Sequence, residues 1–269
     1  MATFQEYVQL SNFVYTDNLH TIPAGQTIAD MQPALSNWRS GVDLEVVGNW
    51  RMVYLMDRPA SGFFGAAFRK SDEVIVAYRG TEPDNIGDWV ADAAFASRLM
   101  ERLNPQMDDA IDLFRAVQAE YPDHTLTITG HSLGGGLAQK AAMSFNTVAT
   151  TFNGPGALHA ANHEEHMKFL RGDYDHVISN YVQSGDIFVG NNRLLRHAGQ
   201  VIVLNEDQLG MSVEDVKKIL HFAFHPIVNF NGDCNPDGSL NEAHVVKVRL
   251  EDKPSIIRDT AESLLAHFG

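Results

Sequence analysis

One short segment constrains the fold of this chain more than any other: residues 125–138, with the sequence TLTITGHSLGGGLA. Its first part alternates threonines with apolar residues, which is typical of a β-strand, and the residues after Ser132 have the apolar spacing of a helix. A sharp turn from strand to helix forces strained backbone angles on the serine and brings neighbouring backbone close. Gly130 and Gly134 provide the room for that approach. The segment therefore predicts a serine hydroxyl presented at the C-terminal edge of a β-sheet.

Strand and helix patterns alternate along the rest of the chain. Strands are predicted at 44–57, 63–69, 73–79, 148–153, 176–182, 200–204 and 245–250, and helices at 4–15, 88–101, 106–120, 160–171 and 212–223. This alternation is typical of the α/β class, with a largely parallel sheet flanked by helices. The chain has 269 residues, of which 44% are hydrophobic, and it has no apparent internal boundary. We therefore expect a single α/β domain over residues 1–269.

Charge and composition exclude several classes of protein. The net charge of −14 argues against nucleic acid and against tight docking on anionic membranes. No apolar run is long enough for a transmembrane segment, and the N-terminus lacks the pattern of a secretory signal. Cys234 is the only cysteine, so no intrachain disulfide can form. We expect a soluble protein that is cytoplasmic or is exported without a cleavable N-terminal signal.

A serine at such a turn needs two partners before it can act as a nucleophile: a histidine base and a carboxylate that orients it. The amide of Leu133, at the start of the helix, would bond a developing oxyanion. In hydrolases of this topology the acid follows the serine and the histidine follows the acid. Asp186 follows the strand predicted at 176–182 by a few residues, whereas Asp175 lies before that strand, at the wrong end. The alternative for Asp186 is an ordinary turn residue after Gly185.

The candidates for the base are the histidines downstream of the acid. They are His197, His221, His225, His244 and His267. His225 precedes Pro226, which disfavours helical geometry and favours a loop at the sheet edge, so His225 is the preferred base. His244 opens a predicted strand and is the second choice. His221 lies near an apolar helix end and either supports the same pocket or packs as an ordinary buried histidine.

Several further segments together carry a resemblance to a known family. They are YRGT at 78–81, DWVAD at 88–92, the GHSLGG turn, TFNGPG at 151–156, SGDIFV at 184–189 and HPIVNF at 225–230. From about residue 50 to 230 the chain resembles the class 3, fungal-type lipase family of α/β-hydrolases. Around the histidine it is similar to bacterial members of that family.

The resemblance implies a role for each matching position. Ser132 would be the nucleophile, Asp186 the triad acid and His225 the base, with an oxyanion hole formed by the amides of Thr81 and Leu133. The segment from about 84 to 96 would correspond to the lid, with Trp89 and Val90 on its apolar face. A core aromatic that anchors a helix is the alternative for Trp89.

The implied activity is that of a serine carboxylester hydrolase that releases fatty acids from lipid esters at a lipid–water interface. Triacylglycerol lipase is the first expectation, and phospholipase A1 and short-chain esterase stay open. The mechanism requires no cofactor. The alternative from another class is a lipid-binding protein that has kept the fold without catalysis. Such a protein would not need a serine, an aspartate and a histidine in this order along the chain.

One segment near the C-terminus has some features of a calcium loop. Asp233, Asn235 and Asp237 match its opening, but His244 stands where the bidentate glutamate belongs. A turn rich in Asx residues that leads into the last strand is the preferred alternative.

Overall fold

The structure of this chain is a computed structural model. It describes residues 1–35, 38–80, 95–184, 196–204 and 227–250, and for residues 95–103 and 249 it describes the backbone alone.

The described strands form one mixed sheet. They are β1 (Arg51–Arg58), β2 (Phe63–Lys70), β3 (Glu73–Tyr78), β4 (Thr125–His131), β5 (Ala149–Phe152), β6 (Ile178–Gln183), β7 (Gln200–Leu204) and β8 (Val245–Leu250), and their order in the sheet is their order in the chain. The pairings from β3 to β7 are parallel, whereas β1, β2 and β3 pair antiparallel and β8 runs antiparallel to β7. The predicted α/β class with a largely parallel sheet is confirmed.

Helices occupy both faces of this sheet. They are α1 (Phe4–Phe13), α2 (Ile28–Met31), α3 (Leu44–Val47), α4 (Phe95–Glu120), α5 (Leu133–Phe145) and α6 (His163–Arg171). Short 3-10 helices lie at Leu19–Thr21, Gln32–Ala34, Leu158–Ala160, Ile227–Asp233 and Glu242–His244. No helix in the part of the chain that the structure describes is long and apolar enough to cross a membrane.

Three of the predicted elements differ from the structure. The strand predicted at 44–57 is wrong at its start, because Asp43 accepts a hydrogen bond from the Glu45 amide and caps the helical turn α3. The two helices predicted at 88–101 and 106–120 are one helix from residue 95 onward, which continues through Pro105. Residues 88–94 and the helix predicted at 212–223 lie outside the described residues.

The core is divided between the two faces of the sheet. On β3, Val74, Val76 and Tyr78 pack in the cluster that includes α4 and α5, whereas Ile75 and Ala77 pack in the cluster that includes α1. Burial on both faces explains why this strand reads as a continuous apolar run. Because β3 to β7 are parallel, their C-terminal ends share one edge, which is where ligands bind in open α/β sheets.

Candidate active site

Ser132 stands at that edge, between the end of β4 and the start of α5. Its backbone has φ 57° and ψ −132°, a conformation that residues with a side chain rarely adopt. The Ser132 amide donates to the Phe152 carbonyl at 3.0 Å, and the Gly135 amide donates to the Ser132 carbonyl at 2.8 Å. The residue is 2% exposed. The strained turn predicted from the sequence is therefore confirmed, and hydrogen bonds to β5 and to the first turn of α5 hold it.

The glycines that flank the serine are required by close approach of backbone. A Cβ on Gly134 would overlap the carbonyl oxygen of Tyr78 at the end of β3. A Cβ on Gly130 would overlap the carbonyl oxygen of Gly134. Neither neighbour is the flexible end of a side chain, so both positions need glycine.

The amide of Leu133 is the first of α5, and the first amides of a helix lack the usual acceptor four residues earlier in the helix. Gly80, two residues beyond the end of β3, lies close to this amide: a Cβ on Gly80 would be 3.0 Å from the Leu133 nitrogen. An anion placed there would face the positive end of the helix dipole. The structure therefore brings together the predicted donor Leu133 and the residue that precedes Thr81.

Tyr15 is the residue at this edge that the sequence analysis missed. Its hydroxyl lies 2.9 Å from the Gly80 amide, which donates to it, and 3.2 Å from both the carbonyl oxygen and Nδ1 of His131. No motif includes Tyr15. Its sequence signal is weak: it follows Ser11, a polar residue of α1, by four residues.

The end of β6 is held by an asparagine from the TFNGPG segment. Asn153 is fully buried, with φ 42°, and its Oδ1 accepts a hydrogen bond from the Gln183 amide at 2.9 Å. Its own amide donates to the Tyr181 carbonyl at 2.8 Å. Asn229 in turn donates to Gln183 Oε1 at 3.4 Å. These contacts fix the point from which the chain continues to Asp186.

His244, the second choice for the base, is engaged by two neighbours. Its Nδ1 lies 2.9 Å from Oδ1 of Asp233, which is 1% exposed, and its Nε2 lies 3.0 Å from Nδ2 of Asn241. Burial raises the pKa of the Asp233 carboxyl, and hydrogen bonds from His244 and Gln183 work against that rise. Val245 pairs with Leu204, so His244 lies at the same sheet edge as the serine. β8 is nevertheless four strands from β4, a distance of about 19 Å in the sheet.

The segment with calcium-loop features forms a hydrogen-bonded turn. Oδ1 of Asp237 accepts from the amide and the hydroxyl of Ser239, at 3.0 and 2.6 Å, and Nδ2 of Asn235 donates to the Leu240 carbonyl at 3.1 Å. The third predicted ligand, Asp233, faces His244 instead. Among the described residues, no three His, Cys, Asp or Glu side chains are grouped so that they could hold a metal ion.

Among the remaining predicted site residues, His197 is buried, with its Nε2 3.0 Å from the Gly154 carbonyl oxygen. The others lie outside the described residues. They are Thr81, Trp89, Val90, Asp186, His221, His225 and His267, together with the predicted lid at 84–96 except its last two residues, which begin α4.

Comparison with known proteins adds a sequence relationship. A family model described as a Tle-like phospholipase domain, in the phospholipase-like class, matches residues 6–224. The chain is also 34% identical over 96 residues to an extracellular phospholipase A1 of Serratia liquefaciens. That alignment covers 36% of this chain and 28% of the relative, so the chain spans little more than a quarter of that protein's length.

Solved structures show the same fold at low sequence identity. The triacylglyceride lipase of Rhizomucor miehei superposes with a TM-score of 0.53 and 13% identity, covering 88% of this chain and 94% of the lipase. A triacylglycerol lipase whose catalytic centre is a serine protease triad gives a TM-score of 0.52 and 15% identity, covering 84% and 91%. The chain therefore has an α/β-hydrolase fold.

Proposed function

This chain belongs to the Tle-like phospholipase domain family, and from that premise we propose that it hydrolyses carboxylic esters of lipids with Ser132 as its nucleophile. The observation that carries the proposal is the strained serine at the tip of β4, buried beside the N-terminus of α5. A strained turn that presents a serine at the positive end of a helix dipole suits attack on an acyl carbonyl.

In the proposed mechanism Ser132 attacks the ester carbonyl while His225 takes its proton, and Asp186 orients the imidazole. The amides of Leu133 and Thr81 bond the oxyanion of the tetrahedral intermediate. His225 then protonates the leaving alcohol, and water attacks the acyl-enzyme with the same histidine as base. Each pass returns the free serine and releases a fatty acid, so the cycle needs no cofactor.

Chain connectivity supports this assignment. Ser184, which directly follows β6, is two residues before Asp186, so the aspartate can reach no more than about 7 Å beyond it. Thr81 directly follows Gly80, whose position beside Leu133 is described above. His225 is two residues before the 3-10 helix at 227–233, whose Phe230 packs on Phe152 at the end of β5 with ring centroids 5.0 Å apart.

The contacts of His244 favour His225 as the base. To act as the base for Ser132, His244 would have to break the contact between its Nε2 and Asn241. It would also have to reach across four strands of the sheet, because it precedes β8 and Ser132 follows β4. The Asp233–His244 pair does resemble the acid–base half of a triad, so a direct comparison of variants at the two histidines is required.

The choice of lipid rests on the sequence relatives. The family is described as a phospholipase domain, and the Serratia relative is a phospholipase A1. The triacylglycerol lipases share the fold at 13–15% identity, which carries no substrate information. We therefore put phospholipid esters ahead of triacylglycerols, the first expectation from the sequence. We keep the predicted lid, with Trp89 and Val90, as the segment that would meet a lipid surface.

The first experiment tests the nucleophile. A fluorophosphonate probe should label the wild-type protein and fail to label Ser132→Ala. The control is Ser144→Ala, on the same helix about 18 Å away, which should label like wild type. Labelling of Ser132→Ala at the wild-type rate would overturn the proposal.

The second experiment assigns the base and the substrate. His225→Ala should lower kcat by several orders of magnitude, whereas His244→Ala should keep most of it; the reverse result would move the base to His244. Hydrolysis of phosphatidylcholine vesicles should exceed that of a triolein emulsion and of p-nitrophenyl butyrate. A preference for triolein would restore the lipase expectation, and a preference for the soluble ester would indicate an esterase.

A further inference from the structure

The N-terminal helix and the strand that carries the nucleophile are joined by a ladder of side-chain hydrogen bonds. Tyr7 Oη donates to Thr127 Oγ1 at 3.0 Å, Ser11 Oγ and Thr129 Oγ1 lie 2.8 Å apart, and Tyr15 Oη and His131 Nδ1 lie 3.2 Å apart. All six residues are buried.

The spacing of the ladder has a geometric cause. Tyr7 and Ser11 are four residues apart on α1, which is about 6.0 Å of rise, and Tyr15 follows at the same sequence spacing, two residues beyond the end of the helix. Their partners recur every two residues along β4, about 6.6 Å. The two repeats stay in step because they nearly match, and both run in the same direction. The ladder therefore ends at the C-terminal edge of the sheet, where Tyr15 meets the residue before Ser132.

At that end a single hydroxyl joins two strands. Tyr15 accepts from the amide of Gly80 at 2.9 Å and donates to the carbonyl of His131 at 3.2 Å. Gly80 directly precedes Thr81, and His131 directly precedes Ser132. The same hydroxyl thus bridges the strand that leads to one proposed oxyanion donor and the strand that leads to the nucleophile.

The tyrosine ring is itself held in place. It is 2% exposed and lies edge-on to the His131 ring, with centroids 5.9 Å apart. The guanidinium of Arg39 lies over the tyrosine ring at 5.1 Å and hydrogen-bonds to Asn12 of α1. Packing on these sides restricts the rotamer, so the hydroxyl works as a fixed spacer.

We propose that Tyr15 is a positioning residue for catalysis: its hydroxyl holds Gly80, the residue before the proposed oxyanion donor Thr81, at a fixed distance from His131, the residue before Ser132. The proposal rests on the proposed function. Space at this point is tight, because a Cβ on Gly80 would lie 2.5 Å from the tyrosine hydroxyl oxygen and 3.0 Å from the Leu133 nitrogen. Loss of the hydroxyl would let the two strand ends relax relative to each other.

The test variant is Tyr15→Phe, which removes one oxygen and keeps the ring. Misplacement of catalytic groups by about 1 Å costs on the order of 100-fold in rate, so we expect kcat for ester hydrolysis to fall by roughly 10- to 100-fold. KM should change by less than about two-fold, because substrate binding surfaces are retained. The rate of fluorophosphonate labelling of Ser132 should fall with kcat.

The matched control is Tyr7→Phe. It removes a buried hydroxyl that bonds the same strand β4, from within α1 and at Thr127, away from the catalytic edge. We expect similar losses of melting temperature in the two variants and a kcat within about two-fold of wild type for Tyr7→Phe. A purely structural role for Tyr15 would make the two variants alike in both measurements.

Each outcome decides the proposal. A selective loss of kcat in Tyr15→Phe supports it. A Tyr15→Phe protein with wild-type kcat and labelling, or equal kcat losses in both variants, overturns it and leaves the proposed function standing, since wild type still labels at Ser132. A wild-type protein that neither labels nor hydrolyses esters refutes the proposed function, and the positioning role with it.

Discussion

A buried ion pair between α5, the helix that follows Ser132, and α6 supports a quantitative prediction about stability. Lys140 of α5 donates to both carboxylate oxygens of Glu165 of α6, at 2.8 and 2.6 Å, and the two residues are 8% and 4% exposed. The Ser144 hydroxyl and the Asn162 amide also donate to that carboxylate, at 2.7 and 2.8 Å. Lys140→Met removes the charge that balances Glu165 and keeps the apolar stem.

Removal of one partner from a buried pair costs about 3–5 kcal/mol, because a charge is left uncompensated. Ser144 and the Asn162 amide still bond the carboxylate in the variant, so we expect the lower end, about 3 kcal/mol of unfolding free energy. For a chain of this size that corresponds to roughly 6–12 °C in melting temperature.

The loss should depend on pH in a definite direction. Burial by itself would raise the pKa of Glu165, but hydrogen bonds from Lys140, Ser144 and the Asn162 amide outweigh it and lower the pKa below its ordinary value of 4.5. A lowered folded-state pKa means that the stabilisation is full above the unfolded-state pKa and disappears as pH falls through the folded-state pKa. The difference between wild type and Lys140→Met should therefore be largest near pH 7 and shrink below about pH 4.5.

Urea unfolding at pH 7 and pH 4 measures both effects, and Lys168→Met is the matched control. Lys168 pairs with Glu164 on the same helix α6 at 2.9 Å, but that glutamate side chain is 78% exposed. An exposed pair of this kind contributes less than about 0.5 kcal/mol. The reasoning is refuted if Lys140→Met and Lys168→Met lose equal free energy at pH 7.

Three further variants or measurements follow from the site. Gly134→Ala should lower the free energy of unfolding by more than about 2 kcal/mol and abolish fluorophosphonate labelling, because the added Cβ overlaps the Tyr78 carbonyl. A melting temperature within about 2 °C of wild type, which corresponds to roughly half a kcal/mol, would contradict this. Burial raises the pKa of the Cys234 thiol to about 11, so native protein at pH 8 should react with Ellman's reagent at least about ten-fold more slowly than unfolded protein. Asn153→Ala should lower the free energy of unfolding by about 1–3 kcal/mol and also lower kcat, because the Gln183 amide loses its acceptor next to the segment that carries the proposed triad acid. An unchanged kcat would show that this hydrogen bond at the end of β6 does not affect catalysis.

The strands were the most predictable part of the fold. The bounds predicted for β7 and β8, 200–204 and 245–250, are those of the structure, because each is a short run of β-branched residues between breaks. The elbow was equally predictable, since its steric requirement is met by the local residues Gly130, Ser132 and Gly134. Where the chemistry depends on backbone within a few residues, the sequence is sufficient.

The errors arose where a local cap or tertiary packing outweighed the apolar pattern. Residues 44–47 have strand-like composition, yet the side chain of Asp43 satisfies a helical amide and begins a turn. The break predicted before residue 106 does not occur, because one side of α4 is buried against the sheet through Leu113 and Val117, and this burial outweighs the cost of Pro105.

The contribution of Tyr15 could not have been predicted from any motif. It is separated by 116 residues from His131, and its contact depends on the coincidence of helical and strand repeats over the full length of the ladder. Insertion of one residue into α1 would rotate the following side chains by about 100° and take the tyrosine away from β4. Residues that perform the chemistry are therefore recognisable from short segments, whereas those that hold the segments at the right distance are set by the register between distant elements. In this chain the register of α1 on β4 links the N-terminal segment to the spacing of the proposed catalytic groups.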